Sequence, residues 1–264
     1  MRKKIWIRVL AGIMTVSAII ALAACVVDRS KYLTYTLSED GNSYVVSGFD
    51  KNKWGAVTIP DYYEEKPVTE IQEEAFRNCV GLTSITIPGS VTSIGQGAFR
   101  YCRALTRITI PDNVTRIEEG MFEDCSALTE IAIPNGVTDI GQNAFKRCSS
   151  LTEITIPDSV TCIDFSTFEG CSSLTKITIP NSAMGIEQIA FGGCSSLREV
   201  TIPKSVTYIS YNAFYGCSAL SVIEYQGTKA EWNKINKVNW NGETGDYTVR
   251  CTDGTLDKNG NEIE

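Results

Sequence analysis

Seven cysteines recur at an interval of 23 residues, and they are the first side chains whose chemistry has to be considered. They are Cys79, Cys102, Cys125, Cys148, Cys171, Cys194 and Cys217. A zinc site needs ligands that converge on one point, usually from C-x-x-C pairs and often with histidine, but this chain has no histidine. Evenly spaced thiols suit the interior of a repeat, where cysteine acts as a small apolar side chain. We therefore predict no metal site and no cofactor.

Two further cysteines, Cys162 and Cys251, lie outside this series. Other repeats carry serine, arginine, aspartate or tyrosine at the position of Cys162, so its thiol could be exposed. The sequence leaves open whether Cys162 and Cys251 are free or paired with each other.

Catalysis would need a positioned nucleophile, base or metal, and without histidine neither a Ser–His nor a Cys–His arrangement is possible. Paired carboxylates remain, because Glu130 and Glu153 occupy equivalent positions in adjacent repeats. They stand among Arg107 and Lys176, as solvated surface charges do. We predict that the protein is not an enzyme, and a carboxylate-dependent hydrolase is a distant alternative.

The period of the cysteines is shared by residues that must position them. Leucine recurs with the same interval from Leu82 to Leu220, phenylalanine from Phe76 to Phe214, and proline from Pro88 to Pro203. A fixed period of 20 to 29 residues is typical of a solenoid, in which each unit buries its apolar face on its neighbours.

One unit, Leu151–Ser173, shows how a turn of the solenoid is built. Two alternating isoleucines predict a short strand, a proline ends it, and a valine–isoleucine pair predicts a second inward-facing segment. The spacing of Ala144, Phe145 and Cys148 fits a short helical turn on the outer side. A parallel β-helix would favour units of six or nine residues, which do not divide 23. We predict an α/β-type leucine-rich repeat solenoid with short parallel strands and helical turns.

Flanking segments are expected to cap this solenoid, which spans residues 56–222. At residues 31–55, alternating apolar residues around Asp40-Gly41 predict a β-hairpin cap. At residues 223–264, Thr228 and Glu231 form a capping box that predicts a helix, followed by a strand, and together these form the C-terminal cap.

Specificity must lie in the positions that vary between repeats. Outward positions of the predicted strands form a candidate binding face of Arg107, Glu130, Glu153, Lys176 and Glu199. Apolar departures in the last repeats form a candidate aromatic patch of Phe165, Tyr208, Tyr211 and Tyr215. Such a patch commonly marks an interface, although these residues could instead pack on the C-terminal cap.

The amino terminus predicts export. Residues 1–24 hold a basic start, an apolar run and small residues, as a secretory signal peptide does. Leu22-Ala23-Ala24-Cys25 resembles the bacterial lipobox, which implies cleavage before Cys25 and its lipidation. Residues 25–30 are then the lipidated cysteine and a short tether, whose five residues after the cysteine reach about 17 Å. We expect an extracytoplasmic lipoprotein anchored to a bacterial membrane, at the cell surface or the periplasmic face.

Charge narrows the class of partner. The formal charge is −7, and the residues after position 24 carry 20 basic and 31 acidic side chains, or −11. Nucleic-acid binders need clustered lysine and arginine, so we predict no nucleic-acid partner.

The combination of I-x-I-P, V-T-x-I and A-F-x-x-C from about Ala56 to Val222 resembles the BspA-like, Treponema-type leucine-rich repeat family. The resemblance implies a bacterial surface solenoid that binds a protein or glycan, as some adhesins do. We expect a monomeric module for binding or adhesion. A structural protein of the cell envelope without an external ligand is the alternative.

Overall fold

The structure is a computed structural model that describes residues 29–263. The predicted signal peptide at residues 1–24, the lipidation site Cys25 and the start of the tether lie outside the described residues. Within residues 29–263 the chain winds into a β-solenoid of about nine turns, with one turn for each repeat of about 23 residues. The predicted leucine-rich repeat solenoid is confirmed, and its apolar core is one cluster that extends from Leu33 to Leu256.

The described part of the chain is built mainly from short strands. In chain order they are β1 (Leu33–Leu37), β2 (Tyr44–Phe49), β3 (Gly55–Thr58), β4 (Tyr62–Tyr63), β5 (Lys66–Ile71), β6 (Leu82–Thr86), β7 (Ser93–Ile94), β8 (Arg107–Ile108), β9 (Arg116–Ile117), β10 (Asp139–Ile140), β11 (Cys162–Ile163), β12 (Lys176–Thr178), β13 (Gly185–Ile186), β14 (Glu199–Ile202), β15 (Tyr208–Ile209), β16 (Val222–Tyr225), β17 (Asn236–Lys237), β18 (Thr248–Cys251), β19 (Gly254–Asp257) and β20 (Glu262–Ile263). A 3₁₀ turn at Ser30–Tyr32 precedes them, and the helix α1 (Lys229–Lys234) lies between β16 and β17.

Strands from successive turns form two parallel rows along the solenoid. The first row contains β3, β6, β8, β12, β14, β16 and β18, and the second contains β2, β5, β7, β9, β10, β11, β13, β15 and β17. Residues one repeat apart are in register, as Lys176 is with Glu199. Each strand of the rows buries alternate residues in the core, which is why isoleucine alternates with polar residues in the sequence.

The segment that carries phenylalanine and cysteine in each repeat is a series of turns. Two of its residues have positive φ, for example Asn143 (57°) and Arg147 (59°), and left-handed residues interrupt a right-handed helix. Phe145 N–H donates to Thr167 O of the next turn at 2.9 Å, while Cys148 N–H donates to Phe145 O at 3.1 Å. The first of these two hydrogen bonds joins neighbouring turns of the solenoid, and the second stays within one turn. The prediction of helical turns in the repeats is wrong, and the described chain contains almost no helix.

Phenylalanines one repeat apart stack along the axis from Phe76 to Phe214. Successive ring centroids lie 5.1 to 5.7 Å apart with interplanar angles of 3° to 19°. Offset stacking adds about 1 kcal/mol per pair beyond the burial of the rings. Phe49 extends this column at one end and Trp240 at the other. The segments on either side of residues 56–222 thus contribute to the same column.

Each end of the array has its own closure. The predicted hairpin at residues 31–55 is present, because β1 and β2 pair antiparallel and β2 pairs parallel with β5. Thr228 and Glu231 form the predicted capping box at the start of α1. After α1, β17 and β18 continue the two rows, and β18 pairs antiparallel with β19.

No helix within residues 29–263 has the length and apolar character needed to cross a membrane.

Candidate binding groove on the first strand row

Four of the five residues predicted as a binding face line one groove on the first strand row. Arg107, Glu130, Glu153 and Lys176 are exposed and stand one repeat apart along a groove of about 970 Å³, which we call the strand-face groove. The fifth residue, Glu199, is outside the groove, and its carboxylate lies 2.5 Å from Nζ of Lys176.

The floor of the strand-face groove is apolar. Ile131, Ile154 and Ile156 line it and are each less than one tenth exposed, because they are the inward residues of the first row. Thr155 and Thr178 stand exposed beside the charged residues. The groove therefore combines an apolar base with a polar and charged rim.

The groove lies where regular pairing of the first row is interrupted. Pairing stops at β8, a single bridge joins Thr109 to Ala132, and pairing resumes between β12 and β14. Within residues 29–263, the turns at 129–133 and 152–156 contain no strand beyond that bridge. The hydrogen bond from Thr152 N–H to Thr129 O is 3.4 Å long. Neighbouring turns are thus joined more loosely on this face, which makes room for the groove.

Charge at the centre of the groove lacks an internal counter-ion. Among the ion pairs of residues 29–263, none involves Glu130, Glu153 or Arg107. Lys176 is engaged by Glu199, so it does not neutralise Glu153. Glu130 and Glu153 occupy the same position in successive turns and line the same groove, so their negative charges repel each other. A cation that entered the groove would relieve this repulsion.

The seven repeated cysteines fill the core, as the sequence predicts. All are fully buried. From Cys102 onward, each thiol donates to the carbonyl oxygen of the phenylalanine in the preceding turn, at 3.1 to 3.2 Å. Burial raises the pKa of the Cys171 thiol to about 12. Because the reactive form of cysteine is the thiolate, these thiols are chemically quiet at neutral pH.

Cys162 and Cys251 are half-buried and free, so they do not form a disulfide with each other. Sγ of Cys162 lies 3.6 Å from the hydroxyl of Tyr208, which donates to Glu187 at 2.8 Å. Burial raises the pKa of the Cys162 thiol. The Tyr208 ring lies over Gly185, where a Cβ would be only 1.9 Å from it. These contacts position Tyr208 against the second strand row.

No group of three metal-ligating side chains occurs in the described part of the chain.

The predicted aromatic patch is divided in the structure. Phe165 and Tyr208 are half-buried, whereas Tyr211 and Tyr215 are 50% and 41% exposed. Tyr208 and Tyr211 line a cavity of about 390 Å³, and Tyr215 lines a separate one of about 350 Å³. Tyr215 also lies against Gly242 of the C-terminal segment, where a Cβ would be 3.1 Å from its ring. The three tyrosines thus line two separate cavities, and Phe165 lines neither of them.

Sequence reasoning missed two features of the solenoid, one on the strand face and one in the core. The first is the interruption of strand pairing at residues 129–133 and 152–156, for which the repeat pattern gives no signal because both turns keep their isoleucines. The second is the thiol hydrogen bond to the preceding phenylalanine carbonyl. A signal for the second is the preference for cysteine over valine or alanine in every repeat.

Two rows of short parallel strands and turn segments with buried phenylalanine and cysteine define a leucine-rich repeat solenoid. The model of the BspA type leucine-rich repeat region matches residues 48–175 and 161–237, with six copies. The chain therefore belongs to this family. The family consists of repeat proteins that are generally not enzymes.

Solved structures agree with this assignment. The chain is similar to a leucine-rich repeat protein of T. pallidum, with 31% identity and a TM-score of 0.65 over 72% of this chain and 88% of that one. It is also similar to a leucine-rich repeat protein from Bacteroides ovatus ATCC 8483, with 28% identity and a TM-score of 0.55 over 81% of this chain and 66% of that one. A leucine-rich cell surface protein from Faecalibacterium prausnitzii A2-165 shares the fold, with 22% identity and a TM-score of 0.50 over 78% of this chain and 96% of that one. No curated protein matches the sequence significantly.

Proposed function

We propose that this protein is a binding module, anchored at the outer side of a bacterial membrane, that holds a protein or glycan in the strand-face groove. One observation carries the proposal. The groove presents Glu130 and Glu153 without an ion-pair partner above an apolar floor of isoleucines. A partner that brings a cationic group and some apolar surface would satisfy both parts of the groove.

The same chemistry favours a protein over a neutral glycan. A lysine or arginine side chain supplies both an apolar stem, suited to Ile131 and Ile154, and a cationic head suited to the two carboxylates. Arg107, at one end of the groove, is free to contact an acidic group of the same partner. Thr155 and Thr178 in the groove offer hydroxyl groups, which would also suit a glycan.

The proposal is tested by binding to extracts of neighbouring or host cell surfaces. The full-length protein and the variant E130Q/E153Q are compared with a control, E65Q/E119Q, which removes the same charge from exposed positions outside the groove. We expect the wild type and the control to retain the same partner and the groove variant to lose it, by about tenfold or more in affinity. Equal retention by all three proteins would contradict the assignment of the site.

Membrane attachment rests on the amino-terminal sequence and has its own test. Replacement of Cys25 by alanine removes the thiol that lipidation requires, so the variant should lack incorporated fatty acid after metabolic labelling. A labelled C25A protein would contradict the anchor without affecting the groove.

Exposure of the anchored protein to protease on intact cells distinguishes the binding module from a purely structural envelope protein. Complete protection of the chain would contradict contact with an external partner.

A further inference from the structure

The N-terminal end of the solenoid carries a tryptophan that is packed on one face and open on the other. Trp54 is 71% exposed. Its indole lies on Gly81, where a Cβ would be 2.9 Å from Cγ and Cδ2 of the ring. The next two repeats have Ala104 and Ala127 at that position, so glycine occurs where the indole needs the space. Val80, beside this glycine, is 47% exposed and extends the apolar surface.

Lys51 and Lys53 precede this tryptophan on the same loop, and Lys31 and Lys53 both lie over the ring of Tyr32. Nζ of Lys53 lies 4.5 Å from the centre of the Tyr32 ring, and Nζ of Lys31 lies 5.1 Å from it. Lys51 is exposed on the same loop. The acidic side chain of this loop, Asp50, is paired with Lys53 at 3.5 Å. Glu74 also lies within electrostatic reach of Lys51, but it is paired with Arg77 at 2.5 Å. The three ammonium groups therefore outnumber the two carboxylates near them, and each of these carboxylates already has an ion-pair partner.

This local excess of positive charge is unusual for the chain, which has 31 acidic and 24 basic side chains. The nearest acidic residues in the hairpin, Glu39 and Asp40, are at its tip. The register of β1 with β2 pairs Leu33 with Phe49 at the base and Leu37 with Tyr44 near the tip. Five strand residues span about 17 Å, so the hairpin carboxylates are remote from the lysines.

We propose that Lys31, Tyr32, Lys51, Lys53 and Trp54, together with Val80, form a surface that docks on the headgroups of an anionic membrane. Tryptophan favours the boundary between headgroups and acyl chains because its ring is large and apolar and its N–H is polar. Lysine stems lie along apolar surface while their ammonium groups contact anionic lipids.

The position of the surface in the chain agrees with this partner. The apolar run at residues 10–21 precedes the first described residue, Arg29, by only a few residues. The surface therefore stands at the end of the solenoid where the chain leaves any membrane attachment. The proposal concerns the folded surface and goes beyond both the groove and the lipidation of Cys25. Contact of this surface with the bilayer would orient the N-terminal turn toward the membrane and the C-terminal end away from it.

Fluorescence quenching by brominated lipids in full-length protein incorporated into vesicles tests the contact. The four tryptophans of the chain are Trp6, Trp54, Trp232 and Trp240, so the contribution of Trp54 is obtained by comparison with the variant W54F. In vesicles with phosphatidylglycerol, the wild type should lose a larger fraction of its fluorescence than W54F does. In vesicles of phosphatidylcholine alone the difference should shrink by about half or more, since the lysines then have no anionic partner.

Charge variants separate this contact from simple proximity. K31Q/K51Q/K53Q should reduce the Trp54-dependent quenching in anionic vesicles, whereas K204Q/K234Q/K258Q, which removes three exposed lysines far along the chain, should not. Equal quenching of wild type and W54F would overturn the proposal, as would quenching that is indifferent to the lysines. Flotation of the protein with the vesicles reports attachment separately, so protein that floats with Trp54 unquenched keeps the anchor and refutes the docking surface.

Discussion

Both ends of the solenoid carry tryptophan, but Trp232 and Trp240 at the C-terminal end are 4% and 7% exposed, whereas Trp54 at the N-terminal end is 71% exposed. Trp240 closes the column of phenylalanines, with its ring centroid 5.8 Å from that of Phe214 at an angle of 88°. At the other end Phe49 has that role, and Trp54 is not part of the column.

The difference separates two uses of the same residue type. A solenoid must cover the apolar core of its last turn, and a buried indole does this at the C-terminal end. The N-terminal end is already covered by the hairpin of β1 and β2, so Trp54 is not required there for closure. An exposed indole beside lysines is therefore available for contact with a partner, and mutation can distinguish these two roles.

The largest expected difference between the ends is in stability. W240A should lower the free energy of unfolding by about 3–5 kcal/mol, because it removes a buried ring that touches Phe214, Trp232 and Tyr247. W54A should change it by less than about 0.5 kcal/mol, because the side chain is mostly in solvent. Urea unfolding followed by circular dichroism measures both. Equal losses for the two variants would show that Trp54 also closes the core.

The sequence predicts the solenoid itself, but it does not predict which tryptophan is exposed. The constant spacing of 23 residues from Cys79 to Cys217 predicts a solenoid, because stacked turns bury equivalent apolar residues against each other. Exposure of Trp54 depends on how the hairpin and Gly81 meet in space, which periodicity does not encode. The strand-face groove shows the same division. The residue pattern predicts that Arg107, Glu130, Glu153 and Lys176 share a face, but the interrupted pairing below them depends on the spacing of whole turns.

Titration of the core thiols gives a second difference, between the N-terminal repeat and the interior of the solenoid. Burial raises the pKa of Cys79, in the first repeat, to about 11 and that of Cys171, in the interior, to about 12, from an ordinary 9.0. Above pH 9 the unfolded chain loses a proton that the native state keeps, so stability falls with pH by up to about 1.4 kcal/mol per unit for each thiol. The fall continues to about pH 11 for Cys79 and to about pH 12 for Cys171.

Alanine variants test this directly. In C171A the stability should decline less steeply with pH than in the wild type from pH 9 to about 12. In C79A the difference should end near pH 11. Unfolding midpoints measured across this range provide the comparison, and parallel pH profiles for wild type and C171A would contradict the burial of that thiol.

Backbone strain sets one C-terminal repeat apart from the others, with a smaller effect on stability. The first left-handed position of the turn segment is glycine in two N-terminal repeats, Gly97 and Gly120, but is Ile189 in a C-terminal repeat, with φ of 59°. A β-branched residue is strained in this region, whereas asparagine adopts it readily. I189N should raise the free energy of unfolding by about 1 kcal/mol. The reverse change at the equivalent position of the next repeat, N212I, should lower it by a similar amount. A loss of stability in I189N would mean that packing of the isoleucine outweighs its strain.

The smallest expected effect on stability concerns the contact beneath Trp54. Alanine occupies the equivalent position in the next repeat, Ala104, so G81A introduces a side chain that the repeat backbone accepts. The new Cβ would lie 2.9 Å from the indole, which is exposed and can move outward, and 3.1 Å from the backbone oxygen of Lys53, which needs to shift by only a few tenths of an ångström. Stability should change by less than about 0.5 kcal/mol, while the emission of Trp54 changes because its packed face becomes hydrated. A loss of 2 kcal/mol or more would show that the indole is held in place, as Trp240 is, and that the two ends are closed in the same way.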